Sequence, residues 1–312
     1  MKLTLTNLLF LLRCSKSYIL ITSILLLTSS FPQESFANKF LSDTFVSIVK
    51  STKASIVNIH TTKILKDSTQ HRGFRIKGQG SGVVYNNQGF IVTNKHVVKD
   101  AGEIIIRLYD GSEYKAEVIG TDERSGIVVL KIDAENLTPA RFGNSDSLEL
   151  GEIVLAIGNP IGLGQTVTSG IISAKGTSNL RVTGFEDFVQ TDATINPDSY
   201  GGPLVNMDGK VVGISTLPPE QTAGYFGISL AIPINVVNKA AEDLIKHGRI
   251  TRGWLGVTAQ PVTRELQKAL GLKNNLGALV SAIEPGSSAA NAGVKSGDVI
   301  IKYNGKKIKN LL

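Results

Sequence analysis

A switch of hydrophobic period just before residue 55 limits this chain more than any other feature. Phe40, Leu41, Phe45, Ile48 and Val49 recur at helical spacing, and beyond them apolar residues come in short β-branched runs. The runs Ser55 to Ile59, Phe90 to Thr93, Glu103 to Arg107, Ile127 to Ile132, Ile153 to Ile157 and Lys210 to Ser215 are bounded by turns such as Asp110-Gly111 and Asp208-Gly209. Many short strands at this spacing predict a mainly β body, a barrel or a sandwich. The polar, basic stretch Lys63 to Lys77 reads as a loop between strands. Helical period returns with Val236/Val237, Ala240/Ala241 and Leu244/Ile245, and Gly248 is a natural stop. A domain boundary is expected there, giving segments 1–37, 38–248 and 249–312.

The length of 312 residues, with 42% apolar and 19% charged content, suits a large core plus a smaller module and argues against disorder. The net charge of +7 is spread without a run of five or six basic residues, so the reading is no nucleic acid. Residues 1–37 read as a signal peptide. Lys2, Arg13 and Lys16 precede the apolar run Tyr18 to Thr28, and Ser35-Phe36-Ala37 places small residues at the cleavage positions. Cleavage after Ala37 is the simplest reading, with retention as an inner-membrane anchor the alternative. The only cysteine, Cys14, leaves with that segment, and the mature charge falls to +5. No disulfide is then available to the mature chain. His60, His71 and His247 have no spacing or neighbours that suggest metal ligation, so neither a metal nor a cofactor is expected.

Chemistry enters at Thr93-Asn94-Lys95-His96-Val97-Val98 and at Gly78-Gln79-Gly80-Ser81-Gly82-Val83-Val84, where the glycine run continues into β-branched residues and not into a helix. Further segments are Ala156-Ile157-Gly158-Asn159-Pro160-Ile161-Gly162-Leu163, Thr168-Ser169-Gly170-Ile171-Ile172-Ser173, Gln190-Thr191-Asp192-Ala193 and Ala231-Ile232-Pro233. In this order they resemble the HtrA (Deg) serine protease family from about residue 78 to residue 233. The resemblance implies a trypsin-like pair of six-stranded barrels with the active site in the cleft between them. It makes His96 the general base of a Ser-His-Asp triad.

Two of the three triad positions depart from that pattern. The segment Asp122-Glu123-Arg124-Ser125-Gly126-Ile127 puts Gly126 where the family has its aspartate, and Ile195-Asn196-Pro197-Asp198-Ser199-Tyr200-Gly201-Gly202 puts Tyr200 where it has its serine. A tyrosine hydroxyl lies several ångströms farther from the backbone than a serine hydroxyl, so it cannot occupy the serine's place beside both the base and the scissile carbonyl. Residues 198–200 form the oxyanion-hole region, and Asp198 brings a carboxylate to the position of a glycine there. Ser199 could stand in as nucleophile only by remodelling a tight turn, because the segment aligns without a gap.

The carboxyl end resembles a PDZ domain of the same family. Trp254-Leu255-Gly256-Val257 corresponds to its carboxylate-binding loop, while Ala292-Gly293, Gly297-Asp298-Val299-Ile300 and Asn304-Gly305 match its later pattern. Such domains continue past the position of Leu312, so a truncated PDZ domain is expected. The reading favoured by these residues is an exported, catalytically inactive HtrA homologue in protein quality control that binds unfolded or exported polypeptides. An active serine endopeptidase and a decayed protease remnant are the alternatives. The resemblance further implies a homotrimer formed through N-terminal aromatic residues, for which Phe40 or Phe45 would serve unless they pack in the core.

Overall fold

A computed structural model of the chain describes residues 36–66, 73–158, 165–178, 180, 182–184, 186–218 and 227–308. Most of the segment expected to be a signal peptide, up to residue 35, and the Asn159-Pro160-Ile161-Gly162-Leu163 part of the motif lie outside the described residues. The chain separates into two compact units, Met1–Ser47 and Ile48–Leu312. Helix α1 (Phe36–Thr52) begins in the first, where Phe40 is 74% exposed, so it is not core packing that holds this ring.

The second unit opens with strands β1 (Ile56–Lys66), β2 (Gly73–Val84), β3 (Phe90–Asn94), β4 (Glu103–Arg107), β5 (Glu113–Lys115), β6 (Glu117–Asp122) and β7 (Ile127–Lys131). They form one antiparallel sheet in the order β5-β4-β1-β2-β3-β7-β6. Seven strands thus replace the expected six, and the sheet does not close. Its edge strands β5 and β6 are separated in the chain by Ala116 alone, so the sheet curls until its ends lie close. Val57, Ile59, Ile91, Ile106, Val128 and Leu130 fill the inside of the curl, each under 1% exposed.

The stretch expected to be a loop, Lys63 to Lys77, is largely strand. β1 and β2 pair without a break from Ile56↔Val83 to Lys66↔Gly73, forming a long hairpin arm. Pairing between its own two limbs holds the outer part of this arm as strand, so the polar, basic composition did not prevent it.

The next body is a closed barrel of β8 (Ile153–Gly158), β9 (Thr166–Thr177), β10 (Phe188–Thr191), β11 (Pro203–Asn206), β12 (Val211–Thr216) and β13 (Ser229–Pro233). Its core includes Val154, Ala156, Ile172, Leu204, Val212 and Ala231. Between β3 and β4 lies the short helix α2 (Lys95–Val98). After β13, helix α3 (Ile234–His247) buries Val237, Ala240, Ala241 and Leu244 along one stripe and packs against β6, β7 and β12, bracing sheet and barrel. It stops as the sequence predicts: Gly248 takes φ 67° and donates its N–H to the Leu244 carbonyl.

The remaining chain holds β14 (Val257–Pro261), α4 (Arg264–Ala269), β15 (Ala278–Ile283), α5 (Ser288–Asn291), β16 (Val299–Ile300), β17 (Lys302–Tyr303) and β18 (Lys306–Lys307). Both helices are capped by side chains: Thr263 accepts from the Leu266 N–H and Ser287 from the Ala290 N–H, each at 3.2 Å.

Candidate functional site

The site forms where α2, the turn after β10 and the β6–β7 turn converge. Asn94 ends β3 in extended backbone and α2 starts at Lys95, whose N–H donates to the Gly126 carbonyl at 2.7 Å. That bond places position 126 directly beside the helix that carries His96. Gly126 takes φ 75°, and a Cβ built there would meet only the Thr183 methyl, at 3.3 Å. Position 126 itself therefore offers no carboxylate to the imidazole.

His96 lines the cleft and is exposed at its surface, while protein atoms crowd the walls around its ring. Desolvation lowers its pKa from 6.5 to about 4, since burial penalises the imidazolium. Among the described residues no acid is bonded to it to offset this. The His96 signal in an NMR titration is accordingly expected to stay neutral down to about pH 4. Below about 6.5 the unfolded chain takes up this proton and the folded chain does not, so stability falls as pH drops from about 6.5 toward about 4, by a small amount because the residue is exposed. A midpoint at the ordinary value of 6.5 would contradict the desolvated environment.

A 3₁₀ turn at Pro197–Ser199 delivers Tyr200. Proline at the first position pre-sets this turn, and the Ser199 and Tyr200 N–H groups donate to the Asn196 and Pro197 carbonyls at 2.9 and 3.1 Å. The Tyr200 N–H is thus occupied within its own turn and does not face the cleft as a free donor. Its carbonyl accepts from the Ser81 N–H at 2.8 Å and the Asp198 carbonyl accepts from the Ser81 hydroxyl at 3.0 Å, tying the turn to β2. Gly201 then needs φ 85°; a Cβ there would sit 2.2 Å from the Ser81 carbonyl oxygen.

The Tyr200 ring is 8% exposed, joins the core of the seven-stranded sheet, and meets His96 edge-on with centroids 5.4 Å apart and planes at 78°. Burial pushes its phenol pKa up, which keeps the hydroxyl protonated at neutral pH. Ser199 faces the other way. A Cβ built on Gly158 would lie 2.2 Å from its hydroxyl oxygen, so this side chain packs onto the β8 backbone on the barrel side. Around His96 and Tyr200 a cleft of about 600 Å³ is lined by Thr61, Lys63, Ile76, Gln79, Pro197 and Leu217, among others.

In the carboxyl module Trp254 and Leu255 are 64% and 44% exposed, and Gly256 takes φ 75° with Ser287 packed against its α-carbon. The Leu255 and Gly256 carbonyls accept from the Ala289 and Glu284 N–H groups at 3.0 and 2.9 Å. Val257 opens β14, the edge strand of the order β14-β15-β16.

One feature of the site escapes motif reading. The Asp122 carboxylate, 1% exposed, accepts from the Arg124 N–H at 3.0 Å, the Ser125 hydroxyl at 2.6 Å and both terminal nitrogens of Arg252. The Gly126 N–H in turn donates to the Asp122 carbonyl at 2.8 Å. This carboxylate therefore shapes the turn at position 126 and holds the start of the last module to it. Its partner lies 130 residues away, which no local pattern announces.

Two β bodies braced by one helix, with a histidine and a tight glycine-flanked turn meeting in the cleft beside them, define a trypsin-like fold. A model of the trypsin-like peptidase domain matches residues 80–214, and one of the PDZ domain matches residues 279–312. DegP-like periplasmic serine endoproteases of Chlamydia pneumoniae and Chlamydia muridarum are 49% and 47% identical to the chain over 233 residues, 75% of its length. The chain spans about half the length of these curated relatives, 48% and 47%. Among solved structures, the HtrA-type protease AlgW with decapeptide is 37% identical, with a TM-score of 0.72 over 85% of this chain and 87% of that one. The serine endoprotease from Yersinia pestis is also 37% identical, with a TM-score of 0.62 over 86% and 85%. The chain belongs to the HtrA-type serine protease family.

Proposed function

We propose that this chain is a non-catalytic HtrA-type protein that holds polypeptide segments in its cleft without cutting them. The observation that carries this reading is the Tyr200 ring packed against His96 at the nucleophile position. Gly126 at the acid position leaves the base without an orienting partner, and Asp198 brings negative charge to the oxyanion-hole region. The rival reading, hydrolysis by Ser199, is disfavoured by the packing of that hydroxyl against Gly158, away from the imidazole. Export to the periplasm is supported by the signal-like residues 1–37 and by the names of the relatives, and the same reading includes domain limits of 38–248 and 249–312. No helix among the described residues is long and apolar enough to cross a membrane. The exposed Phe40 ring supports assembly into trimers through α1.

The test is an aggregation assay. Reduced, unfolded model proteins are expected to stay in solution at near-equimolar protein, with no fragments on gels after hours. Aggregation at the rate of a buffer control would remove the binding half of the proposal, and fragments that vanish in His96→Ala would remove the other half.

A further inference from the structure

Two polar groups meet in the cleft without a bond to hold either. The Tyr200 side chain is 8% exposed and lines the cleft beside His96, and its hydroxyl has no hydrogen-bond partner among the described residues. Unlike the Thr61 hydroxyl, which is covered and unpaired, it keeps contact with solvent. The ring nitrogens of His96 likewise have no hydrogen-bond partner among the described residues. Ring centroids 5.4 Å apart let one small group touch both side chains.

Both groups are uncharged at neutral pH, since burial holds the phenol protonated and desolvation keeps the imidazole from taking a proton. Each therefore offers one donor and one acceptor. Among the described residues the cleft lining holds one cation, Lys63, and one acid, Asp100, so it has no excess of either sign. A carboxylate or an ammonium set against the two rings would lose water without a dedicated counter-charge, whereas a neutral amide exchanges its water for two hydrogen bonds. A primary carboxamide matches the pair: its carbonyl accepts from the Tyr200 hydroxyl and its NH2 donates to the unprotonated imidazole nitrogen. A backbone amide does not, because the trans peptide points its C=O and N–H in opposite directions. Ile76, Val97, Pro197 and Leu217 of the same lining suit a methylene stem. Glutamine has a longer stem than asparagine for a side chain buried this deeply.

Resting on the proposal that the cleft holds polypeptide, we infer that it selects segments bearing a glutamine side chain, read by the Tyr200 hydroxyl and the His96 imidazole.

Fluorescence anisotropy tests this with short labelled peptides that differ only at a central Gln, Glu, Lys or Met. A C-terminal N-methyl amide keeps both a terminal carboxylate and a terminal carboxamide from competing. The Gln peptide is expected to bind roughly tenfold more tightly than the Met peptide, which has a similar shape without the amide, and than the Glu and Lys peptides. Tyr200→Phe keeps the ring and removes only the hydroxyl, so the melting temperature should hold while the preference for Gln over Met falls to about twofold. His96→Phe should reduce the preference in the same way, with binding of the Met peptide unchanged in both variants. Equal affinity for Gln and Met, tighter binding of Glu or Lys, or a Gln preference that survives both variants would overturn the inference and leave polypeptide binding standing. A marked loss of melting temperature in Tyr200→Phe would show the hydroxyl engaged by the protein itself and would overturn it as well. A single capped glutamine residue that competes as effectively as the whole peptide would assign the site to a free small amide, against the inference. Failure of every peptide to bind would overturn both this inference and the proposal beneath it.

Discussion

Purified protein incubated with unfolded casein, at roughly pH 6 to 9 where a neutral imidazole can act as base, is expected to release fragments no faster than its His96→Ala variant. Replacing a serine nucleophile lowers turnover on the order of a millionfold in a triad enzyme, and further triad losses add little. On the proposed reading the other parts of the triad are impaired as well. A base with a pKa of about 4 is a poor proton acceptor at neutral pH, and the Tyr200 N–H that would stabilise an oxyanion is spent on Pro197. Tyr200→Ser alone is therefore expected to restore nothing. It also removes a ring that is 8% exposed; emptying such a site costs about 3 kcal/mol. Adding Gly126→Asp and Asp198→Gly should raise activity above that single variant, though the aspartate must enter a turn with φ 75°, at roughly 1–2 kcal/mol. Casein fragments that accumulate with the unaltered protein and disappear with His96→Ala would end this account.

The sequence made the β body legible because its strands bury one or both faces. Glu103–Arg107 and Phe90–Asn94 alternate or run apolar as burial requires, and the structure places strands there. β5 (Glu113–Lys115) escaped because its three residues have no apolar run, and its place in the sheet comes from pairing with β4. The arm escaped for a related reason. Its outer part is held by pairing between its own two limbs, so charge and turn-like composition were free to dominate the pattern. At the site, motif order named His96, Gly126 and Tyr200, which the fold brings together, but the direction of Ser199 and the engaged N–H of Tyr200 depend on a 3₁₀ turn whose register no residue type encodes. The Asp122–Arg252 pair is a tertiary event between distant segments, invisible to any window.

That pair yields a large expected effect on stability. Asp122 is buried, and although desolvation pushes its pKa up, bonds from Arg252, Ser125 and the Arg124 N–H outweigh this and hold it below the usual carboxylate value. Asp122→Ala leaves those donors without their acceptor, a loss of about 2–3 kcal/mol because the released guanidinium can be solvated, and a melting temperature lower by roughly 5–10 °C for a body of this size. Because the folded carboxyl is depressed, its contribution is present above the unfolded aspartate pKa of about 4 and fades as pH falls through that range and below. Arg252→Ala should cost less, since the guanidinium is 40% exposed and two donors remain on Asp122. Its distinctive consequence is local: the segment after Gly248 loses its tie to β6. The module beyond buries few apolar side chains, chiefly Val262, Leu279 and Val280, while Trp254, Ile301 and Tyr303 stay 60% exposed or more. Such a unit opens more readily than the barrel. Limited trypsin digestion is expected to remove it first from the unaltered chain, at Arg249, Arg252 or Lys268, leaving a core that ends near His247. Arg252→Ala should speed cleavage at Arg249 several-fold while the core persists. If the barrel fragments before the module, or if Asp122→Ala melts where the unaltered protein does, the carboxylate is not the fastening described.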